Sequence, residues 1–133
     1  MLKTSLVYLL LALLIGLLQA LSPVLNLTAQ MPFLRQIEPV RVHLFVVGWI
    51  SLLIFGVVIW MFPKYSREQP RGPEWLGWAC YGLLNAGLAL RVVGESAAQP
   101  GTVFGWLLVA SALLQWLAAL AFFINAWARV KEK

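Results

Sequence analysis

Residues 41–62 read RVHLFVVGWISLLIFGVVIWMF. After His43 no charged side chain occurs before Lys64. Such a run reaches across a hydrocarbon core of about 30 Å when coiled at about 1.5 Å per residue. Hydrocarbon offers no partner for backbone N–H and C=O groups, so a crossing segment of this kind closes its hydrogen bonds within itself as a helix. Pro63 stops the run, because it cannot donate into a continuing helix.

The same reading extends in both directions. Upstream, LVYLLLALLIGLLQALSPVL follows Lys3 and gives a first span over about residues 5–25. A cleaved leader also begins with a basic residue and an apolar run. This run is long, and Leu18-Gln19-Ala20 is a poor small-x-small cleavage site, so we expect it to be kept as a span. The second span covers about 41–62, a third about 74–93, and a fourth about 102–127. Only 11% of the 133 residues are charged, well below the roughly one quarter of a soluble domain, and the charges sit in short blocks between the spans. The sequence therefore predicts one all-α membrane domain over 1–133, an up-down bundle or arc of four transmembrane helices.

The blocks set orientation. Lys3, Lys64, Arg67, Arg71, Arg129, Lys131 and Lys133 fall on one side, against Arg35, Arg41 and Arg91 on the other. Cations collect on the cytoplasmic side, which places both termini and the middle loop there. The expected location is a bacterial inner membrane. The net charge of +5 does not point to nucleic acid, because the basic residues flank spans. Tryptophans near the predicted span ends, Trp60, Trp75, Trp106 and Trp127 among them, suit an interfacial belt. In the first outer loop, Asn26-Leu27-Thr28 matches a glycosylation acceptor, a short and common motif, and residues 31–34 read as an interfacial segment. Cys80, the one cysteine, reads as a small buried hydrophobe.

The chemistry-bearing residues are few. His43 is the one histidine and lies two residues into the second span, at its outer end. A histidine at membrane depth is expensive to place, and its roles are metal or haem ligand, proton relay, or hydrogen-bonding partner between helices. At about 100° per residue, His43, Val47, Ile50 and Ile54 share one face, flanked by Val46. An imidazole above branched apolar side chains suits a flat macrocycle held through its iron, although such a face also suits ordinary lipid or helix contact. Gly48 and Gly56 fall on the opposite side, where another helix can approach.

Arg91 is a second charge inside a span, near the outer end of the third. The second and third spans run antiparallel, so Arg91 and His43 are expected at similar depth. Arg91 has three readings: a partner for haem propionates, an i,i+4 pair with Glu95, or a snorkelling side chain. Arg41 is a further propionate candidate. Asn85, Gln115 and Asn125 are expected to hydrogen-bond between helices. Hydrolytic and phosphoryl-transfer chemistry lacks a residue set here: there are no paired carboxylates, no nucleotide loop and no serine–histidine–acid set.

Arg41-Val42-His43, Gly48-Trp49, Gly56 and Trp60-Met61-Phe62-Pro63-Lys64 together resemble the second helix of catalytic subunit I of the haem–copper oxidase superfamily. The likeness is nearest to the cbb-type oxidase and nitric oxide reductase branches. It continues less specifically through Asn85-Ala86-Gly87 and Arg91, so that it covers about residues 41–95. The resemblance implies that His43 is an axial haem ligand near the outer face, the only metal ligand in the chain, with haem b as the cofactor. It implies a protein for electron transfer, fed by a respiratory-chain donor, or for binding O2 or NO. The further histidines that ligate the family's second haem and copper are absent from this chain, so no catalytic residue is assigned and full oxygen or NO reduction is not expected.

The family's twelve helices form three arcs of four, and three copies of a four-span chain would rebuild them. A homotrimer is therefore expected ahead of a homodimer, whose two His43 rings would clamp one haem. Gly48, Gly56 and Ala110-Ser111-Ala112 are the surfaces offered for close helix contact. The alternative expectation is a cofactor-free accessory or assembly subunit of a respiratory oxidase or reductase. A small transporter is a weaker reading, because the spans lack paired broken helices.

Overall fold

The computed structural model describes residues 1–25, 37–61, 73–96, 103–127 and 129–130. The glycosylation motif, the 31–34 segment and most loop cations lie outside the described residues. Four helices are long and apolar enough to cross a membrane: α1 (Leu2–Leu21), α2 (Glu38–Met61), α3 (Glu74–Ser96) and α4 (Val103–Trp127). No strand occurs among the described residues.

The helix ends differ from the sequence reading for local reasons. Helix α1 stops near Pro23, which has no N–H to give to Gln19 O. The Ser22 hydroxyl donates to that carbonyl instead, at 2.8 Å, and Ser22 N–H also reaches it, at 3.3 Å. Helix α2 begins a turn before Arg41, because Pro39 sits in its first turn, where a missing N–H costs nothing. Helix α3 continues past Val93 to Ser96, and this extra turn places Glu95 on the helix.

Helices α3 and α4 form the tightest pair. Gly87 lets the backbones approach: a Cβ there would stand 3.1 Å from Ser111 O and 3.2 Å from Gln115 N. The Ser111 hydroxyl donates to Gly87 O at 2.7 Å. Helix α1 packs on α2, and α2 touches both α3 and α4. Two tyrosines of the bundle bind α1 to α3. Tyr8 Oη donates to Asn85 Oδ1 at 2.5 Å, and Thr4 Oγ1 lies 2.9 Å from Tyr81 Oη.

These contacts bring the start of α1, the end of α2, the start of α3 and the end of α4 to one end of the bundle. Arg129 closes that end by donating from Nη1 to Ile59 O at 3.0 Å. The residue four beyond Ile59 is Pro63, which has no N–H to offer that carbonyl. The core runs the length of the bundle in three clusters. Val40, Leu44, Ala12 and Leu88 lie at the His43 end, Leu52, Leu84 and Ala118 in the middle, and Leu76, Cys80 and Ala121 at the Arg129 end. Cys80 is fully buried, as its apolar setting predicts.

Helix α2 departs from α-geometry over Leu44–Ser51, which is π-helical. Its buried positions recur every four residues, at Val40, Leu44, Gly48 and Leu52. An ideal α-helix overshoots by about 40° every four residues, so that row would swing through about 120° between Val40 and Leu52. The wider π turn cancels the drift and keeps the whole row against α1 and α3. Ser51 Oγ donates to Val46 O, five residues back, at 3.0 Å.

Candidate functional site

The π segment corrects the face expected around His43. Rows four residues apart run nearly parallel to the helix axis here, so His43 and Val47 lie in one row with Ser51 and Phe55. That row turns toward α3 and α4: Val47 packs against two core clusters, and Phe55 stacks on Phe122 of α4 with ring centroids 3.9 Å apart. Ile50 and Ile54 fall in the next row with Val46. This row faces away from the bundle, with Val46 45% and Ile54 49% exposed. The expected single wall is therefore two adjoining rows meeting at His43. Spacing at 100° per residue could not show this, because the π turn advances each residue by less.

The imidazole of His43 is one-quarter exposed. Its Nδ1 lies 2.8 Å from Pro39 O, one turn back on the same helix, and 3.3 Å from Glu95 Oε1 on α3. A carbonyl oxygen and a carboxylate both accept, so Nδ1 carries a proton, and in the neutral ring Nε2 is the nitrogen that keeps the lone pair. The same Glu95 Oε1 accepts from Arg91 Nε–H at 2.8 Å. His43 and Arg91 thus stand at the same level, as antiparallel α2 and α3 predict, and one carboxylate oxygen joins them. The i,i+4 pairing of Arg91 with Glu95 is present. It engages Nε alone, and the guanidinium NH2 groups have no other partner among the described residues.

Arg41 does not join this group. Two residues from His43 on the helix, it points to α1, with its Cδ 3.5 Å from where a Cβ on Gly16 would stand. Its Nε–H donates to Glu38 Oε2 at 2.9 Å, and Nη2 donates to Glu38 Oε1. Comparison of the chain with family models, with curated proteins and with solved structures returns no match. The site is therefore read from its own chemistry.

That chemistry fits a haem-type ligand set in two respects. One imidazole nitrogen is tied back by a hydrogen bond to Pro39 O and lies beside the Glu95 carboxylate, while the other has no partner among the described residues, which is how a metal-ligating histidine is held. A guanidinium at the same level retains donors for a carboxylate. Among the described residues no cluster of three or more His, Cys, Asp or Glu side chains converges, so an iron would rest on His43. Two open pockets, of about 400 and 470 Å³, lie at the other end of the bundle, around Met1 and Ile59.

Glu95 is the functional residue missing from the sequence reading of the site. Its spacing to Arg91 was visible, but its approach to His43 depends on how α2 and α3 pack. The polar span residues behave unequally. Asn85 bonds between helices as expected. Gln115 Nε2 donates to Ser111 Oγ within its own helix, at 3.0 Å. Asn125 is buried and neither of its side-chain polar atoms has a partner among the described residues. Gly48 faces Tyr8 and Leu88, Gly56 faces Leu2, and Ser111 faces Gly87, so these three positions make contacts within the chain, while Ala112 is exposed.

Proposed function

We propose that this chain is a membrane-bound b-type haem protein for electron transfer or for binding a diatomic gas, with His43 as axial ligand through Nε2. The observation that carries the reading is the placing of Nδ1 against Pro39 O and Glu95 Oε1, with no partner for Nε2 among the described residues at the edge of an apolar face. Arg91 offers its remaining N–H groups to a propionate. Val46, Ile50 and Ile54 supply apolar surface beside the ring. Bound there, haem b would supply a one-electron iron couple and could bind O2 or NO where a single His43 reaches it. The residues hold, orient and neutralise; none of them is a reacting group.

The outward row also supports a homo-oligomer. Val46 and Ile54 are about half exposed, so one chain covers only one side of a macrocycle placed there. A neighbouring protomer covers the other, and a trimer of four-span units matches the twelve-helix arrangement of the family that residues 41–95 resemble. The cation count of the sequence, with Lys3, the middle-loop and the C-terminal cations on one side against Arg35, Arg41 and Arg91 on the other, supports a cytoplasmic position for both termini, and the location proposed is a bacterial inner membrane.

A second reading has an observation of its own. His43 already hydrogen-bonds to a carbonyl of its own helix and needs no cofactor to satisfy Nδ1. This suits a cofactor-free accessory subunit of a respiratory oxidase or reductase. One measurement separates the two: the absorbance of protein purified from haem-replete cells, in both redox states. A Soret band that disappears in His43→Ala supports the haem reading. A colourless preparation that takes up no haem on reconstitution supports the accessory reading, and full haem content in His43→Ala refutes the axial-ligand assignment.

A further inference from the structure

Glu95 stands in an unusual position for an i,i+4 partner of arginine. A pair that only steadies the end of a helix lies on its solvated face and exchanges little with the rest of the protein. The Glu95 side chain is instead only 9% exposed and turned toward α2. One oxygen, Oε1, serves both Arg91 Nε and His43 Nδ1, while Oε2 is buried with no partner among the described residues.

We propose that Glu95 is a positioning residue for His43: it holds the ring with Nδ1 protonated and Nε2 bare, fixes Arg91 at the same level, and puts negative charge behind the imidazole. The Pro39 carbonyl belongs to the same helix as His43 and travels with it. Among the described residues only Glu95 links the ring to α3, where Arg91 stands. The Glu95 carboxylate brings a charge to 3.3 Å from Nδ1, beside the hydrogen bond that Nδ1 makes to Pro39 O at 2.8 Å. In its cofactor aspect the proposal rests on the haem reading, since negative charge on the far nitrogen raises the basicity of the ligating one. The positioning of the ring itself does not depend on haem.

The chain has one histidine, so protein carrying ring-15N-labelled histidine gives a single pair of imidazole signals. In the haem-free wild type, recorded with the imidazole neutral, Nδ1 is expected to carry the proton. In Glu95→Gln the Nδ1 proton signal is expected to move upfield, as a charged acceptor becomes a neutral one, and the Nε2–H form to gain several-fold in population. In haem-loaded protein the same variant is expected to keep its haem and raise its midpoint potential. Ring signals unchanged in Glu95→Gln overturn the proposal, and so does an unchanged potential. Wild-type protein that binds no haem but shows the expected ring signals defeats the haem reading and leaves the positioning role standing. If Glu95→Gln does not fold, the paired variant Arg91→Leu/Glu95→Leu removes both charges together and carries the ring-signal readout, with the same deciding outcome.

Discussion

Gly48→Ala tests how tightly α1 is held against the π segment of α2. A Cβ at position 48 would stand 2.8 Å from Tyr8 Cγ, 3.0 Å from Tyr8 Cβ and 2.9 Å from Leu88 Cδ2, where ordinary contact begins at 3.4 Å. The shortfall is about half an ångström on two sides of a close-packed interior. Leu88 Cδ2 ends a flexible side chain and can turn away. Tyr8 Cβ and Cγ cannot, because they lie next to the backbone and the ring is pinned by its bond to Asn85.

Either α1 moves outward or the Tyr8–Asn85 bond breaks. Overpacking of this kind costs about 1–3 kcal/mol, and loss of an interhelical hydrogen bond in a membrane about 0.6 kcal/mol. Replacing glycine by alanine in a helix returns about 0.8–1 kcal/mol. The net expectation is destabilisation of about 1–2 kcal/mol. Gly82→Ala is the control: it lies on α3, a Cβ there meets nothing within 4 Å, and the propensity gain stands alone. Reversible unfolding of both variants in mixed micelles, followed by circular dichroism, gives the difference directly. Equal stability for Gly48→Ala and Gly82→Ala would refute the close approach of α1 to α2.

Tyr8→Phe removes only the hydroxyl bound to Asn85 and is expected to cost about 0.6–1.7 kcal/mol in the same unfolding assay; no loss would mean that the bond does not help hold α1. Ser111→Ala deletes both the donor to Gly87 O and the acceptor of Gln115, so it should destabilise the α3–α4 pair by about 1 kcal/mol, whereas unaltered stability would place that pair's strength in apolar packing alone. Native mass spectrometry in mild detergent is expected to give a trimer. A monomer that still holds haem would end the shared-site argument, and a dimer with one haem per two chains would replace it with a His43–His43 clamp.

The sequence by itself determined the number of spans, their approximate limits and the placing of His43 in the second. The physical reason is solvent. Hydrocarbon forces each long apolar run to satisfy its own backbone, so helices of this kind are legible one at a time, without knowledge of their neighbours. Residues four apart on one helix are also legible, as Glu95 beyond Arg91 shows; Pro39 behind His43 is not, because the sequence places the start of that span at about Arg41.

What two helices do to each other is a different matter. Whether Glu95 reaches His43, whether Arg41 turns to α1, and which helix Gly48 faces all depend on rotation about the helix axes. Every face of these helices is apolar enough to meet either lipid or protein, so composition hardly fixes that rotation. The tertiary structure fixed it through a few close contacts, Gly48 on Tyr8 and Gly87 on Ser111 among them. It then rewound Leu44–Ser51 so that Val40, Leu44, Gly48 and Leu52 stay in one buried row. That rewinding divided the apolar face beside His43 in two, because keeping one row buried over three turns requires more residues per turn than an α-helix has.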